Sequence, residues 1–233
     1  MENSILMAFS YVNYVNPRRK RLQDIAIETL CRRKSKQFSI VAINYPEDVV
    51  NVPDGCDIYK IPLRNSKDTI GNTRPLPYVK EIMMNCAKKG FDVFGFMNSD
   101  VLISHPLIEL LKCAKYDAYI CYRFEIQDVN ADEFMSGKCK LMSGDAKSHP
   151  GNDAFFFRSK WFVENAKLFP DNLILGETEW DTCYREVIKR NSDNYFEGRE
   201  LFHVYHDQKW TLDSPGAKLN TKIWNKLKEK WGI

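Results

Sequence analysis

The sequence predicts an α/β protein, a doubly wound and mainly parallel sheet flanked by helices and Rossmann-related in layout. Two observations predict it. Short apolar runs of strand length alternate with helical segments of 10 to 16 residues, the order that builds parallel sheets through helical crossovers. The 233 residues are 44% hydrophobic and 13% aromatic, enough apolar material for the core such a sheet needs.

Each element follows in order. SILMAFSYV (4–12) reads as a first strand. KRLQDIAIETLCRR (20–33) places Leu22, Ile25, Ala26, Thr29 and Leu30 on one helical face. FSIVAINY (38–45) is a second strand closed by Pro46, and DIYKIPL (57–63) a third whose proline suits a sheet edge. RPLPYVKEIMMNCAKK (74–89) reads as a helix starting near Pro77 and stopped by Gly90. FDVFGFMNSDVLIS (91–104) is read as one fourth strand, HPLIELLKCAK (105–115) as a helix, and YDAYICYRFEI (116–126) as a fifth strand. Residues 127–150 lack periodicity and read as a long loop or lid. Order returns over 153–167; residues 177–190 are helical, 201–206 strand-like, and 221–233 a C-terminal amphipathic helix within a 211–233 extension. With no repeat and no linker, one domain over 1–233 is expected.

Composition excludes several classes. Thirty-four basic against 31 acidic residues, a net charge of +3, is too balanced for a chain whose main partner is nucleic acid or an anionic membrane. Seven cysteines without a CxxC pair form neither a disulfide framework nor a zinc ribbon, and suit a reducing compartment. No apolar stretch approaches the roughly 18 to 20 residues of a membrane span, and MENSILMAFSYVNY has no basic segment ahead of its apolar part. A cytoplasmic location is expected, with peripheral membrane contact left open.

The chemistry concentrates where FGFM meets Asn98-Ser99-Asp100. In such sheets ligands gather at the carboxyl ends of strands. A carboxylate there can hold Mg2+ or Mn2+, which bridges to phosphate oxygens and steadies a departing diphosphate. The competing reading is a turn, or a cap for the helix near Pro106. Asn98-Ser99-Asp100 resembles the DxD-type motif of the GT-A glycosyltransferases, with Asn in the first position and so one charge fewer. GNDAFFFRSKWF (151–162), LILGETEWDTCYREVI (173–188) and LFHVYHDQ (201–208) resemble the GxDxFxFxR, GxxxxWD and HxxHD segments of a group of GT-A-like proteins, in the same order. The resemblance covers roughly residues 4–210.

That resemblance implies a glycosyltransferase that moves a sugar from a UDP- or GDP-sugar to a hydroxyl of a glycan or lipid-linked acceptor. Asp100 would hold the metal, Mn2+ or Mg2+, with His203 or His206 as a further ligand. Two histidines three apart on a strand point to opposite faces, so both can serve one ion only if the strand ends between them. His203 is the preferred one, and Asp207 is a candidate partner for the neighbouring imidazole. Asn98 and Ser99 would meet ribose or water. Asp153, beside Gly151, would bind sugar hydroxyls at a pocket rim, while Asp181, then Glu177, would serve as general base. Acids in a first helical turn also have a plain electrostatic reason to be there. Ser10, Tyr11 and Asn13 lie at the end of the first strand, beside the expected nucleotide base, where Tyr11 could stack; Arg19, Arg21 and Arg74 are candidate partners of diphosphate. Trp210, Trp224 and Trp231 read as packing residues. Two rivals stand beside this reading. One is a catalytically silent nucleotide-sugar or glycan-binding module. The other is a nucleotidyltransferase, against which counts the lack of any glycine before Gly55.

Overall fold

The computed structural model describes residues 3–142, 148–206 and 212–233, with backbone alone at 148–150. Among these, the strands are β1 (Ile5–Phe9), β2 (Phe38–Asn44), β3 (Asp57–Lys60), β4 (Val93–Met97), β5 (Val101–Ile103), β6 (Ala118–Ile126), β7 (Ser148–Arg158) and β8 (Tyr195–Val204). The helices are α1 (Pro17–Cys31), α2 (Ser66–Ile70), α3 (Val79–Ala87), α4 (His105–Cys113), α5 (Ala131–Met135), α6 (Ser159–Asn165), α7 (Trp180–Asn191) and α8 (Pro215–Trp231). The strands form one sheet in the order β3-β2-β1-β4-β7-β6-β8-β5. Pairings β1–β2, β1–β4, β2–β3 and β6–β8 are parallel; β4–β7, β6–β7 and β5–β8 are antiparallel.

Period-two alternation sorts the core onto two faces. Ile5, Met7 and Phe9 point to the layer containing α1 and α4; Leu6 and Ala8 point to the layer containing α3 and α7. The central strand β4 is buried throughout, which explains its unbroken apolar run. Gly95 is required there: a Cβ would lie 2.0 Å from Cδ1 of Phe156 on β7. Helix starts follow their caps. The Asn16 side chain accepts from the amides of Arg18 and Arg19, with Pro17 in the first turn. Ser104 caps α4 by accepting from Leu107 N. The cap for the helix at Pro106 is therefore Ser104, not Asn98 or Asp100.

Several boundaries differ from expectation. FDVFGFMNSDVLIS is two strands, not one: β4 stops at Met97, and Val101–Ile103 pairs with β8 at the sheet edge. Residues 127–150 are not wholly loop. α5 forms there on a capping box between Asn130 and Glu133, and β7 begins at Ser148. Of the rest, 143–147 lies outside the described residues, and with it part of the expected lid. α8 starts at Pro215, capped by Ser214, ahead of the expected Thr221. α2 has no amphipathic period to announce it.

Candidate functional site

The break between β4 and β5 builds the site. Four strand spacings separate these two strands, roughly 19 Å in a flat sheet. The chain from Met97 to Val101 reaches at most about 14 Å. The sheet must therefore curl, and Asn98-Ser99-Asp100 spans the concavity. Asn98 N donates to Asp153 O at 2.9 Å, extending the β4–β7 ladder by one rung. Ser99 Oγ donates to Gln23 Oε1 at 2.7 Å. The same Gln23 brackets the backbone of Val12, giving 2.9 Å to Val12 O and receiving 2.9 Å from Val12 N. A buried glutamine of α1 thus ties the segment after β1 to the turn.

Strand register brings the rest together. Val101 on β5 is opposite His203 on β8, and Glu125 on β6 is opposite His203 from the other side. Asp100 and Glu125 consequently flank one imidazole. β8 ends at Val204, between the two histidines, so both turn inward. His203 Nε2 lies 3.2 Å from His206 Nε2 and 3.6 Å from Asp100 Oδ2; His206 Nε2 lies 3.4 Å from the same Asp100 oxygen. Asp153 occupies an irregularity in β7: Cys121 faces Ala154 and Tyr122 faces Asn152, leaving Asp153 without a partner in the register. Such a bulge re-aims a side chain. Asp153 Oδ1 accepts from Arg123 Nη1 at 2.8 Å and from Asn98 Nδ2 at 2.6 Å.

The electrostatics follow from these contacts. Burial alone would raise the Asp100 carboxyl, but hydrogen bonds from His203 and His206 hold it well below the usual carboxylate range. Burial disfavours a proton on His203, yet Asp100 and Glu125 outweigh it and push the ring up to about 9. Burial raises Asp153, with Arg123 pulling the other way.

Asp100, His203 and His206 offer three ligand atoms within 4.8 Å of one another. At metal–ligand distances of about 2.0 to 2.2 Å, neighbouring ligand atoms stand roughly 3.0 to 3.5 Å apart. The separations of 3.2 and 3.4 Å fall within that spacing, and the third, 3.6 Å, lies just above it. One carboxylate oxygen and two imidazole nitrogens are a sound donor set for a divalent first-row transition metal.

Beside this cluster opens a cavity of about 730 Å3. Of the sequence candidates, Ser10, Tyr11, Asn13, Arg19, Arg74, Asn98, Ser99, Asp100 and Glu177 line it. Tyr11 is held by Asn44, which accepts from its amide at 3.2 Å and donates to its carbonyl at 2.8 Å; its ring is largely packed into the core. Tyr14 also lines the cavity, its hydroxyl raised by burial and by the Asp100 charge.

Four candidates sit elsewhere or otherwise than expected. Arg21 does not reach the cavity. Two residues on from Arg19 in a helix, it points the other way and donates to both Asp128 oxygens at 3.0 Å. Asp153 is not at a rim but buried at 5% exposure beneath the Asn98 turn. Glu177 precedes α7, and Asn72 Nδ2 and Ser214 Oγ hold its two oxygens at 2.9 and 2.8 Å. Asp181 is in the first turn of α7, outside the cavity lining, and accepts from Asn152 N at 2.9 Å. Asp207 and Trp210 lie outside the described residues. Sequence reasoning missed Arg123, Glu125, Gln23, Asn44 and Asn72. The first two were legible only as unexpected charges inside the apolar run YICYRFEI.

No family model and no curated protein matches the sequence. Solved structures do match. GalNAc-T7 with UDP, GalNAc and Mn2+ superposes with a TM-score of 0.53 at 10% identity, over 96% of this chain and 48% of that one. S. aureus TarS 1–349 in complex with UDP-GlcNAc gives 0.51 at 9% identity, over 89% and 60%. The chain has a GT-A fold. It spans about half to three-fifths of the length of those GT-A proteins. Among the described residues, no helix is long and apolar enough to cross a membrane.

Proposed function

We propose that the protein is a glycosyltransferase that moves a sugar from a uridine or guanosine diphosphate donor to a hydroxyl of a glycan or lipid-linked acceptor. One observation carries this reading. The cavity at the carboxyl ends of β1, β2 and β4 abuts the Asp100–His203–His206 cluster, and Arg19 and Arg74 stand on its wall. That is the arrangement a nucleoside diphosphate needs: a slot for the base, guanidinium groups for phosphate oxygens, and a cation centre at the far phosphate. The uridine nucleotides bound by GalNAc-T7 and TarS support uridine over guanosine.

Asp100, His203 and His206 would hold the cation. Two imidazoles favour Mn2+ over Mg2+, which prefers oxygen. When bound, the ion neutralises charge on the leaving diphosphate. Asp48 would meet the base; its Oδ2 accepts from Asn44 Nδ2 and Tyr45 N, both at 3.0 Å, which fixes the carboxylate on the cavity wall. Asp181, steadied by Asn152 N, would accept the acceptor's hydroxyl proton. Glu177 is a weaker candidate because both its oxygens are already engaged.

That engagement is also what favours the rival, a binding module without turnover. Calorimetry with UDP and Mn2+, paired with a donor-hydrolysis assay, separates the two. The reading predicts Mn2+-dependent binding abolished by Asp100→Ala in a folded protein, and slow hydrolysis lost in Asp181→Asn with donor binding intact. Donor binding unchanged in Asp100→Ala would overturn the cation assignment. Binding with no hydrolysis and no transfer would establish the module.

A further inference from the structure

A chain of buried side chains runs behind the cation centre. Asn98 Nδ2 donates to Asp153 Oδ1 at 2.6 Å, and Arg123 Nη1 donates to the same oxygen at 2.8 Å. Arg123 Nε donates to Glu125 Oε1 at 2.8 Å, and Glu125 Oε2 meets His203 Nδ1 at 2.7 Å. Arg123, Glu125 and His203 are 3%, 5% and 1% exposed. Buried charges persist when they are paired: Arg123 bridges Glu125 and Asp153, and Glu125 also meets His203, while Asp153 Oδ2 has no hydrogen-bond partner among the described residues.

We infer that Glu125 and Arg123 are positioning residues for the cation centre: Glu125 fixes the His203 ring with Nε2 towards Asp100 and His206, and Arg123 holds Glu125. The inference rests on the cation reading of Asp100, His203 and His206 given above. Both Glu125 oxygens are committed, one to guanidinium and one to imidazole, so the carboxylate cannot turn without breaking a charged hydrogen bond. With Nδ1 donating to Glu125, Nε2 is left as the ligand nitrogen, a division of labour that hydrogen-bonded metal-binding histidines require. The backbone contributes too. The register between β6 and β8 slips between Tyr122 and Arg123, where Glu200 of β8 is passed over. From that slip onward Glu125 stands opposite His203. Arg123 then carries the chain to Asp153 and so to Asn98, two residues from Asp100. One relay thus holds His203 directly and, through Asn98, the turn that carries Asp100.

The test is Mn2+ affinity by calorimetry for the wild type, Glu125→Ala and Glu125→Gln, with circular dichroism and thermal melts to establish folding. Pulsed electron paramagnetic resonance reads the nitrogen coupling of bound Mn2+. Glu125→Ala is expected to weaken Mn2+ about 10- to 100-fold and to diminish the nitrogen coupling. Glu125→Gln retains an oxygen acceptor for Nδ1–H, is close to isosteric, and is expected to recover most of the affinity. Tight wild-type binding with Glu125→Ala unchanged in affinity and coupling overturns the positioning role and leaves the cation centre standing. A wild type that binds no Mn2+ overturns the cation reading itself, and this inference with it.

Discussion

Asn98→Asp restores the second acid of a DxD-like motif, and the structure says that it should harm the protein. The Asn98 amide donates to Asp153 Oδ1 at 2.6 Å, a hydrogen bond to a charged acceptor worth about 1.5 to 3 kcal/mol. An aspartate there removes the donor and sets two carboxylates side by side. At about 4 Å and an effective dielectric of about 20, their repulsion is about 4 kcal/mol. Side-chain rotation and proton uptake relieve part of that, leaving a net loss of about 3 kcal/mol near neutral pH. For a chain of this size each kcal/mol moves Tm by about 2 to 4 °C, so a drop of about 6 to 12 °C is expected. Asn98→Ala, which removes the donor without adding charge, should fall between the variant and the wild type.

The sign of the pH effect is also fixed. Burial already raises the Asp153 carboxyl, and a second acid raises the pair further. A raised acid destabilises the fold above its unfolded value of about 4 and ceases to do so once protonated. The deficit of Asn98→Asp should therefore shrink as pH falls from 7 to 5. Chemical and thermal unfolding in chelator measure it. An Asn98→Asp protein as stable as wild type, with tighter Mn2+ binding, would show that residue 98 faces the ion and that its bond to Asp153 is incidental.

Other outcomes follow from the same contacts. Because Asp100 and Glu125 hold His203 near pKa 9 in the absence of metal, Mn2+ must displace its proton; apparent affinity should rise up to tenfold per pH unit from 7 to 8.5, and a flat calorimetric profile would contradict this. Gly95→Ala forces a Cβ against the Phe156 ring and should cost at least about 1 to 3 kcal/mol in urea unfolding. Glu177→Gln keeps one oxygen acceptor between Asn72 and Ser214 and should lower stability more than turnover; loss of turnover equal to that of Asp181→Asn would reverse their roles.

How much of this was legible in the sequence depended on the range of the physics involved. Strands β1, β2, β4 and β6 were legible because burial on both faces writes a continuous apolar run, and α4 because Pro106 marks its first turn; its cap, Ser104, was not singled out. The division of 91–104 into β4 and β5 was not. Phe94–Met97 and Val101–Ile103 are both apolar, and nothing local says that the second run belongs to the opposite edge of a curled sheet. For the site, Asp100 was legible as an acid at a strand end, and the convergence of His203 and His206 as a condition on where the strand stops. Arg21 was misjudged because proximity in sequence was read as proximity in space. Arg123 and Glu125 act through cross-strand register with His203, a relation no single segment contains.

The charges explain the one letter that departs from the expected motif. Three buried or half-buried acids share one arginine and one imidazole: Asp153 and Glu125 pair with Arg123, and Glu125 and Asp100 flank His203. With neutral imidazoles the group carries two net negative charges, a heavy burden in a poorly solvated cleft. A divalent cation cancels them. A proton on His203 offsets one of the two, which is why Asp100 and Glu125 raise that ring. A fourth acid at position 98 would leave even the loaded site negative, with its own carboxylate against Asp153 rather than against the ion. Asparagine keeps the balance and supplies the hydrogen that Asp153 accepts. The amide at position 98 is thus what a site with two histidines and a braced third acid requires, and is no sign by itself of a centre that has lost its cation.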